Sequence, residues 1–123
     1  MGLFGTILNR MVNYPHVEDV FAALGDPTRR RIVERLARGS LTVGEIAAEF
    51  PMSAPAITKH LKVLERHNVI QRRVRGRVHH CSLRPRTIRS AGSWIEAQER
   101  FWNAAFDRLD EELATTSNGE NNS

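Results

Sequence analysis

Residues 53 to 67 read SAPAITKHLKVLERH, which sets cations and apolar side chains at uneven spacing. On a helix turning about 100° per residue, Leu61 and Leu64 fall within roughly 40° of Ile57. Pro55, Lys59, Lys62 and Arg66 fall about 140–200° away, on the opposite side. One face can therefore pack on a domain while the other presents ammonium and guanidinium groups to something anionic. Ser53, Ala54, Pro55 and Ala56 are small and would let the first turn approach a surface closely. The major groove of double-stranded DNA, about 12 Å wide, admits such a helix with its first turn toward the base edges. Thr58 could then hydrogen-bond a base or phosphate, and Lys59 could reach guanine or phosphate. Lys62 and Arg66, further along, suit backbone phosphates, which position without specifying.

The charge balance supports an anionic partner. From Ala54 to Arg89 there are ten Lys or Arg against Glu65 alone, so this stretch carries +9 while the remainder carries −5. A basic block within a folded domain is the electrostatic footprint of a nucleic-acid binder. The Arg29-Arg30-Arg31 run is different, because three successive residues point to three sides of a helix. At least one of them is expected to pair with an acid such as Glu34 or with the last helix.

Other chemistries fare worse. His79, His80 and Cys81 are good metal-ligand types, but on a strand His80 points away from the other two, so no metal site is expected. Cys81 has no resolving cysteine for a redox switch. A nucleophile motif, a phosphate-binding glycine loop and a metal-ligand helix are all missing, so no enzyme and no cofactor are expected. One cysteine excludes an intrachain disulfide and points to the reducing cytoplasm. No run approaches the roughly 18 apolar residues of a membrane span. The opening MGLFGTILNR is a poor signal peptide, although it fits the short myristoylation pattern at Gly2. Its single charge, Arg10, is too little for a membrane-surface helix, so no membrane partner is expected.

The elements that must position the basic helix follow from periodicity and caps. Leu3, Phe4, Ile7, Leu8, Met11 and Val12 form one helical stripe ahead of Tyr14-Pro15. Val17, Val20, Phe21 and Leu24 line a short helix closed by Gly25. Asp26-Pro27 starts the next, which runs through Ile32, Val33 and Leu36 to Gly39. Thr42 and Glu45 form a capping box ahead of Ile46, Ala47 and Phe50. Pro51-Met52 turns the chain and Ser53 caps the basic helix, giving a helix-turn-helix. His60 falls on the flank of its buried face and should be hydrogen-bonded and partly buried. Ile70, Val74, Val78 and Leu83, with a turn at Arg75-Gly76, predict a hairpin. From about Thr87 to Leu113, Ile88, Ala91, Ile95, Gln98, Trp102, Ala105 and Leu109 recur every three or four residues, a seam suited to helix pairing.

The stretch FAALGDPTRRRIVERLARGSLTVGEIAAEFPMSAPAITKHLKVLERHNVIQRRVRGRVHHCSL resembles the winged helix-turn-helix repressors of the ArsR family. The tail WIEAQERFWNAAFDRLDEEL resembles the branch related to the sporulation-delay repressor. The resemblance spans residues 16 to 113 and implies a mainly α fold with a small β-hairpin wing. It implies a homodimer, paired through its first and last helices, on a two-fold symmetric operator. Val17, Phe21, Trp94, Ile95, Phe101, Trp102 and Leu109 are the residues expected at that interface. The resemblance also gives the wing Arg73, Arg75, Gly76 and Arg77 a place along the adjacent minor groove or backbone. Three departures stand out. Ala54 replaces the Gln or Arg of many members, VGEIAAEF lacks the Cys-x-Cys of the metal sensors, and the last helix lacks the His used by others.

The expected organisation is a helical extension over 1–15, the DNA-binding and dimerisation domain over 16–113, and a disordered polar tail over 114–123. A metal- or thiol-responsive sensor of the same fold and a non-specific architectural protein are the alternatives. An unidentified small-molecule inducer has no legible site. If the basic block makes about 6 to 10 phosphate contacts per dimer, affinity for DNA should fall on the order of 10³–10⁵ between about 50 and 200 mM salt. Fluorescence anisotropy across that range checks this, and a flat response would refute the reading.

Overall fold

The computed structural model describes residues 14–121, with side chains through Thr116. The apolar stripe over 3–12 lies outside the described residues. Helix α1 (Val17–Ala23) buries Val17, Val20 and Ala23. Phe21, expected inward, is 42 % exposed and instead meets Trp94 edge-on at 5.3 Å.

Helix α2 (Pro27–Leu36) starts where Asp26 Oδ2 accepts the Arg29 N–H at 3.1 Å, with Pro27 in the first turn. Arg29 Nε donates to the Ala23 carbonyl at 2.6 Å and Arg30 Nη1 to that of Leu24 at 3.2 Å. These two arginines therefore close the end of α1 rather than pairing with Glu34 or the last helix. Terminal carbonyls of a helix carry partial negative charge and attract such donors. Arg35 Nε reaches both Glu49 carboxylate oxygens, at 3.0 and 2.9 Å, and so ties α2 to the end of α3 (Val43–Glu49). Both halves of the expected capping box form: Glu45 N–H donates to Thr42 Oγ1 at 3.1 Å and Thr42 N–H to Glu45 Oε1 at 3.0 Å.

Helix α4 (Ala54–Arg66) has Ser53 as its cap, Oγ accepting the Ala56 N–H at 3.3 Å. Its far end is a Schellman closure around Asn68, which takes the left-handed φ of 61°. The Val69 N–H reaches the Leu64 carbonyl at 2.9 Å and the Asn68 N–H that of Glu65 at 3.1 Å. Asn tolerates this conformation, so the chain leaves α4 at a defined angle into β2 (Ile70–Arg75).

Strand β2 pairs antiparallel with β3 (Val78–Leu83), the turn residues being Gly76 and Arg77 rather than Arg75 and Gly76. Gly76 has φ 64°, the left-handed region a two-residue hairpin turn requires. A third strand absent from the sequence reading, β1 (Leu41–Thr42), pairs with β3 and gives the order β1-β3-β2. Thr42 is thus both the last residue of β1 and the cap of α3.

Helix α5 runs from Pro85 to Asn121. It begins before Thr87 and passes Leu113, so the tail described through 121 is helical rather than disordered. Thr115 and Thr116 donate their hydroxyls to the carbonyls of Glu111 and Glu112 one turn earlier, both at 2.9 Å.

The core gathers Ile32 and Leu36 from α2, Ile46 from α3, and Ile57, Leu61 and Leu64 from α4. Val20 and Ala23 from α1, Leu41, Ile70 and Cys81 from the sheet, Val69 just ahead of β2 and Ala91 from α5 complete it. Leu61 has no exposed surface whereas its neighbour Lys62 is exposed. Leu61→Ala should therefore cost about 2–5 kcal/mol in urea unfolding, while Lys62→Ala should stay within about 0.5 kcal/mol of the parent. Equal costs would mean that α4 is rotated differently.

Candidate nucleic-acid interface

The two stripes of α4 separate as its sequence requires. Ile57, Leu61 and Leu64 are fully buried, while Ser53, Ala54, Pro55, Lys59, Lys62 and Arg66 are exposed. Ala56 and Thr58 are half-buried at the edge of this face. Thr58 Oγ1 donates to the Ala54 carbonyl at 3.0 Å, so its proton is engaged and the oxygen remains to accept. That narrows the role expected of Thr58: it can accept from a base amino group, not donate to a phosphate.

Three contacts hold α4 in place. His60 Nδ1 lies 3.7 Å from Asp26 Oδ2, at the cap of α2, and the imidazole is partly buried as expected. His67 Nδ1 lies 3.4 Å from Asp19 Oδ1, and the other oxygen of Asp19 lies 3.5 Å from His16. Glu65 Oε2 lies 3.4 Å from Arg72 Nη2, linking α4 to β2. Sequence reasoning missed the Asp26–His60 and Asp19–His67 pairs, whose members stand 34 and 48 residues apart.

The wing obeys strand alternation. Arg73 faces His80 across the ladder and Arg75 faces Val78, on the face away from the core. Arg72 faces Cys81 on the inner side. Arg73, Arg75, Gly76 and Arg77 are all exposed, with Arg77 in the turn at the tip. Among the described residues none of these three arginines has a carboxylate partner within ion-pair distance. Arg73 and Arg75 therefore share the sheet's outer face, and Arg77 caps its end.

The residues considered for metal or redox chemistry do not converge. His80 points outward, and Cys81 lies fully buried in the core. Burial pushes the Cys81 thiol pKa up, with Glu65 adding to this and Arg72 opposing it, so the sulfur is held as the poorly nucleophilic thiol. Among the described residues no group of three or more His, Cys, Asp or Glu side chains could hold a metal ion. No helix of the described residues is long and apolar enough to cross a membrane.

The residues expected at a dimer interface divide. Val17 is only 1 % exposed within the single chain and has no free surface to offer a second copy, which corrects its assignment. Trp94 is half-buried beside Phe21, while Ile95, Phe101, Trp102 and Leu109 are exposed along α5. Phe106 and Leu113, absent from the sequence assignment, extend the exposed row, and their recurrence after Trp102 by four and eleven residues was the available signal.

A helix-turn-helix domain family matches residues 24–73. The HTH-type transcriptional regulator Rv2034 of Mycobacterium tuberculosis is 39 % identical over 96 residues, 78 % of this chain and 87 % of the relative. The transcriptional repressor SdpR of Bacillus subtilis is 35 % identical over 79 residues, covering 64 % of this chain and 88 % of that one. The solved structure of an ArsR family transcriptional regulator, RHA00566, superposes with a TM-score of 0.65 at 35 % identity, covering 72 % of this chain and 97 % of its own.

Asp26 offers a direct check on how α4 is held. The Arg29 N–H keeps its carboxyl below the ordinary value of 3.8, with His60 helping and desolvation opposing. A carboxyl with a lowered folded pKa contributes stability above its unfolded pKa, and that contribution disappears as pH falls through the folded value. Asp26→Asn retains a capping oxygen but has no charge to lose. Its stability should fall less than that of the parent as pH drops from about 5 to below about 3. Urea midpoints across that window test this; parallel curves would remove Asp26 from the acid response.

Proposed function

Because the chain belongs to the ArsR family of helix-turn-helix transcriptional regulators, we propose that it is a homodimeric repressor of a two-fold symmetric operator. In this reading it works in the cytoplasm, with α4 in the major groove and the wing against the flanking backbone. The observation that carries it is the complete segregation of α4 into a buried apolar stripe and an exposed basic one. Ser53, Ala54, Pro55 and Ala56 bring the first turn close to the bases. Thr58 accepts from a base amino group, and Lys59 contacts base edges or the nearest phosphates. Lys62 and Arg66 hold the backbone further along, and Arg73, Arg75 and Arg77, with Gly76 shaping the tip, hold the neighbouring segment. Without a long side chain at Ala54, base discrimination falls chiefly to Lys59 and Thr58.

The dimer rests on α5. Ile95, Phe101, Trp102, Phe106, Leu109 and Leu113 leave a row of large apolar groups in water, which marks an interaction surface. Trp102 contacts both Phe101, at 5.6 Å between ring centroids, and Phe106, at 6.1 Å, so it sits at the centre of the row. A two-fold pair of chains places two α4 helices on half-sites one helical turn or more apart.

Selection of bound genomic fragments supplies the operator, and two variants then separate the roles. Trp102→Ala should cost about 2 kcal/mol or more in association, shifting sedimentation toward monomer and weakening operator binding together. Lys59→Ala should remain dimeric and lose operator affinity. A Trp102→Ala protein that stays dimeric at sub-micromolar concentration would sink the α5 interface. Equal affinity for operator and random DNA would indicate an architectural protein instead.

A further inference from the structure

Away from α4, an open groove of ≈ 470 Å³ runs between the end of α2 and the joint of β3 with α5. That volume falls within the roughly 300–1,000 Å³ of small-ligand sites. Its floor is apolar: Leu36 is buried, and Leu83 and Ile88 are half-buried, with Pro85 forming part of the wall. Arg38 and Arg89 stand exposed at the rim, and among the described residues neither guanidinium has an ion-pair or side-chain hydrogen-bond partner. The groove thus combines a surface that water covers poorly with two uncompensated cations. A cationic amphiphile would be repelled by the rim, and a sugar phosphate would leave the floor uncovered.

We propose that this groove is an effector site for a small carboxylate with an apolar tail, of the size of a medium-chain alkanoate. The tail lies along Leu36, Leu83 and Ile88, and the carboxylate takes charge-assisted hydrogen bonds from Arg38 and Arg89. The site stands where it can act on the rest of the molecule. Arg84, just before α5, is pinned to the start of the wing through its N–H to the Val69 carbonyl at 2.9 Å and its Nε to that of Ile70 at 3.3 Å. A ligand wedged between Leu36 and Ile88 bears on α5 next to that pin, and so on the angle between α5 and the α4–wing unit. Its effect on DNA rests on the operator-binding dimer proposed above; the binding itself does not.

The test uses the full chain with octanoate as the probe and octan-1-ol as its neutral counterpart. Methyl resonances of Leu36, Leu83 and Ile88 should shift saturably with octanoate. The Arg38→Gln/Arg89→Gln protein should bind octanoate at least about tenfold more weakly while its response to octanol is unchanged. At saturation octanoate should weaken operator binding by at least about fivefold, within the usual range of coupling between sites. Shifts confined to the Trp102–Leu113 face of α5, equal octanoate affinity in both proteins, or unchanged operator affinity at saturation would each overturn the proposal. A chain that takes octanoate in this groove yet binds no selected DNA would support the site and overturn the operator reading.

Discussion

The rotation of α4 about its own axis is the constraint on which the rest of the molecule depends. Ile57, Leu61 and Leu64 expose no surface, and each sits against core residues from other elements. Turning the helix by one residue would bring Thr58 or Lys62 into that core, and burying an unpaired ammonium costs several kcal/mol. The basic face is therefore aimed from within the domain, by side chains that touch no partner. Ser53 fixes the start of the helix, and the Asp26–His60 pair holds its flank to α2.

The same logic extends to the wing through one left-handed residue. Asn68 ends α4 and sends the chain into β2, with Leu64 and Val69 both fully buried across the turn. From there the strand period divides a run of like residues between two tasks. Arg72 turns inward to Glu65, with only 18 % of its side chain exposed, and Arg73 turns outward. Because the Glu65–Arg72 contact joins the last turn of α4 to β2, the outward guanidiniums stand at a set offset from Lys59 and Lys62. Helix α4 and the wing form one unit, and the effector proposed above would act on how that unit meets α5.

What could be read from the sequence was what repeats or caps locally. The helix-turn-helix was legible because Thr42, Glu45 and Ser53 announce helix starts and Ile57, Leu61 and Leu64 keep one period. Strand β1 was not, because two residues cannot display an alternation and it is defined only by pairing with β3 some forty positions later. The end of α5 was misjudged because Thr, Ser, Asn and Gly favour non-helical conformations when considered singly. The exposed basic face was legible almost in full, whereas Val17 was misplaced because its α1 stripe does not say which body covers it. The groove at Leu36 and Ile88 was invisible for a related reason: its walls come from two stretches of the chain, 36–40 and 82–89, that lie far apart in sequence.

Helix α5 raises the remaining physical question, since most of it lies beyond its own domain. Among its residues through Thr116, Ala91 is the last buried one, and the thirty residues that follow it extend about 45 Å at 1.5 Å per residue. An isolated helix in water is marginal unless an apolar face is covered, and this one presents Trp102, Phe106, Leu109 and Leu113 on steps of four, three and four. That spacing averages between 3.5 and 3.7 residues per turn, so the row stays on one side and suits a second helix of the same kind. In the proposed dimer the partner's α5 would cover it, and the helix would then be both interface and lever. A small change in its angle at Pro85 grows along its length before it reaches the other protomer. The groove beside Pro85 and the aromatic row near Trp102 would thus be two ends of one rigid element, which gives a ligand at the first a physical route to the spacing of the two α4 helices.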